Sequence, residues 1–127
     1  MPTQEQTYTH HAGPTAEADD RLTAYLRSLP QRQLAADGVV RAAERLWERL
    51  RDALPGIVVP NCVPTEEGGL RFSWIHEGRY LDAEIAADGR YEWFFRDRAA
   101  GLTEDGAQPT VEIVSPQFLS HLRTLNS

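Results

Sequence analysis

At Leu70 the hydrophobic period of this chain changes, and that change limits its fold more than any other feature. In the two segments before Pro55, apolar residues recur every three or four positions; between Leu70 and Phe95 they recur at every second position within each segment. The first spacing gathers side chains on one stripe of a helix, the second on one face of a strand. Helical period followed by strand period, with short turns between the strands, predicts an α+β fold: two N-terminal helices, a three- to four-stranded antiparallel β-meander and a C-terminal helix.

The helical part opens with Leu22, Tyr25, Leu26 and Leu29 at i, i+3, i+4, i+7. This predicts a short amphipathic helix over residues 19–29, with Asp19 as its N-cap and Pro30 just past its end. A longer stripe follows in Val39, Val40, Ala43, Leu46, Trp47, Leu50 and Leu54, with Arg41, Glu44, Arg45, Glu48, Arg49 and Asp52 off it. Asp37 is placed to cap this second helix and Pro55-Gly56 to end it, and helix-favouring residues 31–36 precede it. Upstream, Met1 to Pro14 is polar and aperiodic, so residues 1–14 are expected to form a flexible tail ahead of a single domain over residues 15–127.

Residues 55–69 carry Pro55, Pro60, Pro64 and Gly68-Gly69, which predicts an extended connector with room for an edge strand, where proline is tolerated. Leu70, Phe72 and Trp74 then form one face of a strand; Leu81, Ala83 and Ile85, and then Tyr91, Trp93 and Phe95, form the same face of two more. A weaker fourth strand is expected at Val111 to Val114, and the polar stretch Asp97 to Gln108 as a mobile loop. Register follows from keeping the apolar faces together, because a slip of one residue turns every apolar side chain outward. A two-residue Glu77-Gly78 loop pairs Trp74 with Leu81 and Phe72 with Ala83. A three-residue Ala87-Asp88-Gly89 loop pairs Ile85 with Tyr91 and Ala83 with Trp93, as a type I turn with a G1 bulge at Gly89. Ser115-Pro116 supplies an N-cap and an N1 proline for a last helix bearing Phe118, Leu119, Leu122 and Leu125.

With 127 residues, 41% of them apolar, the chain has material for one core without a metal or disulfide. Its single cysteine, Cys62, excludes an intramolecular disulfide and reads as a packed thiol, since no histidine neighbours it in sequence. The first residues lack the pattern of a secretory signal, and no apolar run nears the ~18–20 residues that span a bilayer; a cytoplasmic protein without membrane contact is expected. All 13 basic residues are arginine, and the net charge of -6 is uneven: residues 21–55 carry a net positive charge, the two flanking parts a net negative one. An acidic β half disfavours nonspecific nucleic-acid binding, which neutralises phosphates, and favours a basic protein partner.

The registers place the remaining strand residues on a second sheet face. Arg71, Glu84 and Glu92 fall in one cross-strand row, Ser73, Asp82 and Phe94 in the next, and Ile75, Tyr80 and Arg96 in a third. Tyr80, Asp82, Glu84, Glu92, Phe94 and Arg96 thus compose an acidic patch edged by aromatic surface, suited to a partner carrying Arg or Lys and an apolar anchor. An ordinary solvated face with cross-strand ion pairs is the competing account. Arg41, Arg45 and Arg49, at i, i+4, i+8, offer an alternative phosphate-binding flank, or a salt-bridged helix face with the interleaved Glu44, Glu48 and Asp52. None of His10, His11, His76 and His121 has zinc-motif spacing, and no GxGxxG, P-loop, GxSxG or CxxC pattern occurs, so no catalytic residue, metal or cofactor is assigned.

The stretch Val63-Pro64-Thr65-Glu66-Glu67-Gly68-Gly69-Leu70, followed by Trp74, Gly78, Leu81, Glu84-Ile85 and Asp88-Gly89-Arg90-Tyr91, resembles a pattern of short uncharacterised bacterial proteins. The resemblance covers about residues 60–95, implies a bacterial origin and a meander, and implies no activity. The leading functional expectation is a noncatalytic protein-binding module, such as an adaptor, inhibitor, or antitoxin or immunity-type partner, docking through the acidic face or an edge strand. A small-molecule binder or enzyme with a pocket between sheet and helices, around Trp74, Trp93 and His76, is the alternative. A nucleic-acid-associated protein using the arginine flank is the third.

Overall fold

The computed structural model describes residues 16–126; the expected tail of residues 1–14 lies outside them. Helices α1 (Ala16–Ser28) and α2 (Asp37–Ala53) come first. They are followed by strands β1 (Asn61–Pro64), β2 (Leu70–His76), β3 (Arg79–Ile85), β4 (Tyr91–Asp97) and β5 (Leu102–Gln108), and then by helix α3 (Pro116–Leu125). The strands form one antiparallel sheet in the order β1-β2-β3-β4-β5. The architecture is α+β as expected, but the sheet has five strands rather than three to four.

The two central hairpins have the expected registers. Trp74 is opposite Leu81, Phe72 opposite Ala83, Ala83 opposite Trp93, and Ile85 opposite Tyr91. Glu77 and Gly78 both have positive φ, 51° and 81°, the backbone of a two-residue turn whose twist matches that of the strands it joins. In the next turn Ala86 N–H donates to Arg90 C=O and Gly89 N–H to Ala86 C=O, with Gly89 at φ 89°, as the bulged three-residue loop requires.

Three expectations are corrected. The stretch Asp97 to Gln108 is not a mobile loop, because Leu102–Gln108 is β5. Val111 to Val114 is not a strand; it forms a turn in which Ile113 N–H donates to Thr110 C=O and Val111 is buried. An edge strand exposed on both faces has no need of apolar alternation, so β5 lacks the pattern that marks the inner strands. Finally, neither Asp19 nor Asp37 is an N-cap. Asp37 is the first residue of α2, behind Ala36 at the cap position. Asp19 lies within α1, where its carboxylate accepts from Trp47 Nε1 at 2.6 Å and from Arg51 Nη1 at 2.5 Å, tying α1 to α2.

Helices α2 and α3 lie against one face of the sheet, and α1 packs on α2. The core fills from both sides: Val39, Ala43, Leu46 and Leu50 of α2 and Phe118 and Leu122 of α3 meet Leu70, Phe72, Trp74, Leu81, Ala83, Ile85, Tyr91, Trp93 and Phe95. Phe118 is central, with ring centroids 6.0 Å from Trp74, 6.3 Å from Tyr91 and 6.2 Å from Trp93, in the tilted to edge-on contacts that aromatic quadrupoles favour. Ser115 Oγ caps α3 by accepting from Phe118 N–H, with Pro116 following, as the sequence indicates. The Tyr91 hydroxyl holds the incoming loop: it donates to Ile113 C=O at 2.7 Å and accepts from Ser115 N–H at 3.0 Å.

Candidate protein-binding face

With the helices stacked on one side, the opposite face of the sheet carries no element among the described residues. Strand pairing sets its side chains in rows. Val63, Arg71, Glu84, Glu92 and Ala107 cross the sheet in one row, and Asn61, Ser73, Asp82, Phe94 and Asp105 in the next. Ile75, Tyr80, Arg96 and Thr103 form a third. Tyr80, Asp82, Glu84, Glu92, Phe94 and Arg96 therefore lie together on adjacent β3 and β4. Large apolar side chains stand at its margin, with Ile75 69% and Val63 46% exposed.

Four carboxylates, those of Asp82, Glu84, Glu92 and Asp105, face two guanidinium groups, those of Arg71 and Arg96. Arg71 donates to Glu84 at 3.3 Å, and this bond raises the arginine's pKa. Arg96 is spent on an aromatic ring, its guanidinium carbon 5.7 Å from the Tyr80 centroid. The Tyr80 hydroxyl donates to Asp82 Oδ2 at 2.7 Å and its ring rests beside Phe94. Burial, and then the bond to Asp82, push the Tyr80 phenol up to about 12. Burial likewise raises the Asp82 carboxyl above the ordinary aspartate value, with Arg71 and the Tyr80 hydrogen bond opposing. Glu92 and Asp105 form no ion pair among the described residues, so their charge is available to a partner.

The face is hollowed. Two adjoining depressions of about 580 Å³ and 520 Å³ have Glu84, Glu92 and Ala107 in common. The first extends to Thr65, Gly69, Ala86 and Arg90 at the turn end of the sheet, the second to Asp82, Phe94 and Asp105. Gly69 and Ala86 line the first one. At Gly69 a side chain is excluded outright, since a Cβ there would stand 2.5 Å from the Ile85 carbonyl oxygen. Sequence reasoning missed Asp105 and Ala107 because it took their strand for a loop. Leu102–Gln108 has no apolar alternation to mark a strand, and Gly106 within it favours a loop, so no local signal was available.

The other sequence candidates have different surroundings. Arg45 grips Glu112 through Nε at 2.8 Å and Nη2 at 2.9 Å, and also donates to Glu48. Arg49 donates to the Glu112 carbonyl oxygen. Two of the three flank arginines thus bind the loop before α3, and Arg41 is left exposed beside them. The Arg45 bond holds the Glu112 carboxyl below the usual glutamate range. Around Trp74 and Trp93, Phe118 occupies the space between sheet and helices, and Trp74 Nε1 donates to Val58 C=O at 2.8 Å. His76 is exposed at the sheet margin beside Glu77. Cys62 is partly buried next to Phe72, and loss of solvent pushes its thiol up to about 12.

Among the described residues no group of three or more His, Cys, Asp or Glu side chains is placed to hold a metal ion, and no helix is long and apolar enough to cross a membrane. Comparison of the chain with protein-family models, curated proteins and solved structures found no match.

Proposed function

We propose that the chain is a noncatalytic protein-binding module, of the adaptor, inhibitor, antitoxin or immunity kind, whose docking surface is the open acidic face of the sheet. The observation that carries this reading is the pairing of unneutralised carboxylates with apolar surface in one hollow. Among the described residues Glu92 and Asp105 lack ion-pair partners and no helix covers their rows, and Phe94 stands between Asp82 and Asp105. Carboxylates around an aromatic anchor match a partner surface that presents Arg or Lys beside an apolar side chain, with the charges setting association rate and register.

The test is capture from a bacterial lysate on immobilised wild-type protein and on the Glu84→Arg/Glu92→Arg double variant, at low and moderate salt, with far-UV circular dichroism as the folding control. Exposed pairs contribute only about 0–1 kcal/mol, so the double variant is expected to fold. A basic protein held by the wild type and released by the charge reversal, more weakly bound as salt rises, is the expected result. Identical retained proteins on both forms would refute the acidic-face reading.

A further inference from the structure

The two edges of this sheet are built differently, and the difference follows from which backbone groups point outward. In an antiparallel ladder alternate residues direct both N–H and C=O toward one neighbour, and the residues between them direct both the other way. The Ala86 N–H to Arg90 C=O bond sets the phase on the β3–β4 side. Tyr80, Asp82 and Glu84 bond across to Arg96, Phe94 and Glu92, so Tyr91, Trp93, Phe95 and Asp97 point at β5 and pair with Gln108, Gly106, Glu104 and Leu102. Thr103, Asp105 and Ala107 are left with both backbone groups directed away from the sheet. No hydrogen bond among the described residues uses them.

At the opposite edge the Thr65 N–H to Gly69 C=O bond sets the phase. Asn61 and Val63 bond to β2, and the outward positions are Pro60, Cys62 and Pro64. Two of these three have no N–H to offer. Proline at the outward positions of an edge strand blocks pairing with a further strand. No such block exists on β5, which carries no proline and no basic residue in Leu-Thr-Glu-Asp-Gly-Ala-Gln.

We propose that β5 is the docking edge for an extended, basic segment of a protein partner, which adds to the sheet as a sixth strand and lays alternate Arg or Lys side chains beside the acidic hollow. The proposal rests on the acidic-face reading and specifies how the partner engages it. Backbone bonds to Thr103, Asp105 and Ala107 supply affinity without regard to sequence, and side-chain alternation supplies selectivity. On the open side the added strand runs along Asp105 with Glu92 in the strand behind it, whereas on the other side the Glu104 carboxylate is already bonded to His121 Nε2 at 2.5 Å. Charge complementarity therefore asks for basic residues at alternate positions, facing the open side. The same charge opposes a second copy of this chain as the occupant. The antiparallel register that pairs all seven residues of β5 with themselves sets Asp105 against Asp105, and like charges directly opposite one another destabilise a ladder.

The probe is a synthetic, fluorescein-labelled heptapeptide of alternating Arg and Val, with two controls: the same sequence N-methylated at every second residue, in each of the two phases, and a Glu-for-Arg version. Binding is read by fluorescence anisotropy, and backbone engagement by hydrogen exchange of the β5 amides. The parent peptide should bind. One N-methylated phase should bind at least about tenfold more weakly than the other, because each blocked amide removes a hydrogen bond and strands an acceptor. The amides of Thr103, Asp105 and Ala107 should exchange rapidly in the free protein and become protected on saturation. Ala107→Pro, which removes an outward N–H without touching the bonds to β4, should weaken binding by a similar factor. The N-methylated peptides make the same test should that variant not fold. If both phases bind equally and the β5 amides gain no protection, strand addition is overturned. When that happens while Glu84→Arg/Glu92→Arg still abolishes binding, the acidic face survives and only the edge mode fails. No binding of the parent peptide also overturns the proposal, and the lysate capture then judges the face separately.

Discussion

Gly106 of β5 is opposite Trp93 on the helix-covered face, and the indole lies over the place where a side chain would be. A Cβ built at Gly106 stands 2.7 Å from Trp93 Nε1 and 2.8 Å from Cε2 and Cζ2. An alanine there needs the indole to retreat by about 0.7 Å or more to reach ordinary contact. The retreat is opposed, since Trp93 is 4% exposed and its ring already abuts Phe118 and His121, with centroids 6.2 Å and 5.8 Å away. Replacing glycine in a strand by alanine otherwise gains roughly 0.5–1 kcal/mol, whereas overpacking of this kind costs about 1–3 kcal/mol. Gly106→Ala should therefore destabilise by about 1 kcal/mol. In a Trp93→Leu background, itself less stable, the same change should become neutral or favourable, a coupling on the order of 1–2 kcal/mol. Urea unfolding followed by far-UV circular dichroism, with unchanged slope, measures all four corners of the cycle. A Gly106→Ala variant that is more stable than wild type, or an equal effect in both backgrounds, would refute the packing of Trp93 over β5.

Asp19→Ala leaves the Trp47 indole N–H and the Arg51 guanidinium without their acceptor and should cost about 1–3 kcal/mol in chemical denaturation; no measurable loss would mean that α1 is not tied to α2 through this carboxylate. Glu77 holds a left-handed φ of 51°, so Glu77→Asn should raise stability by about 0.5–1 kcal/mol in the same assay. Cys62, with its thiol pushed up to about 12 by burial, should react with a disulfide reagent at pH 8 far more slowly in native protein than in urea, and equal rates would contradict its placement. The carboxyls of Asp97 and Glu112 are held low, Asp97 mainly by the Ala100 amide and Glu112 by Arg45. Their contribution to stability is present above the unfolded carboxylate pKa and is lost as pH falls through the folded values. Glu112→Gln should accordingly lessen the loss of melting temperature on acidification below about pH 4.5.

The residues themselves determined the α+β class, the stripes of α1 and α2, the cap of α3 and the registers of the central hairpins. Each of these rests on local spacing: Phe72, Trp74, Ala83 and Trp93 must face one core, and only one pairing of their strands allows it. The same registers brought Tyr80, Asp82, Glu84, Glu92, Phe94 and Arg96 onto one face, so the centre of the candidate site was legible as well. Four features were decided by tertiary structure. One was β5, whose Leu102–Gln108 has no buried face of its own and becomes a strand by bonding to β4, with Trp93 standing in for the side chain Gly106 lacks. Another was the role of Asp19, whose spacing suited a cap but whose partner is Trp47, 28 residues away. A third was the engagement of Arg45 and Arg49 by Glu112, which a helix read alone pairs with its own acids. The fourth was the contrast of the sheet edges, closed by Pro60 and Pro64 at β1 and open at β5, because which backbone groups point outward depends on how every strand between them is paired.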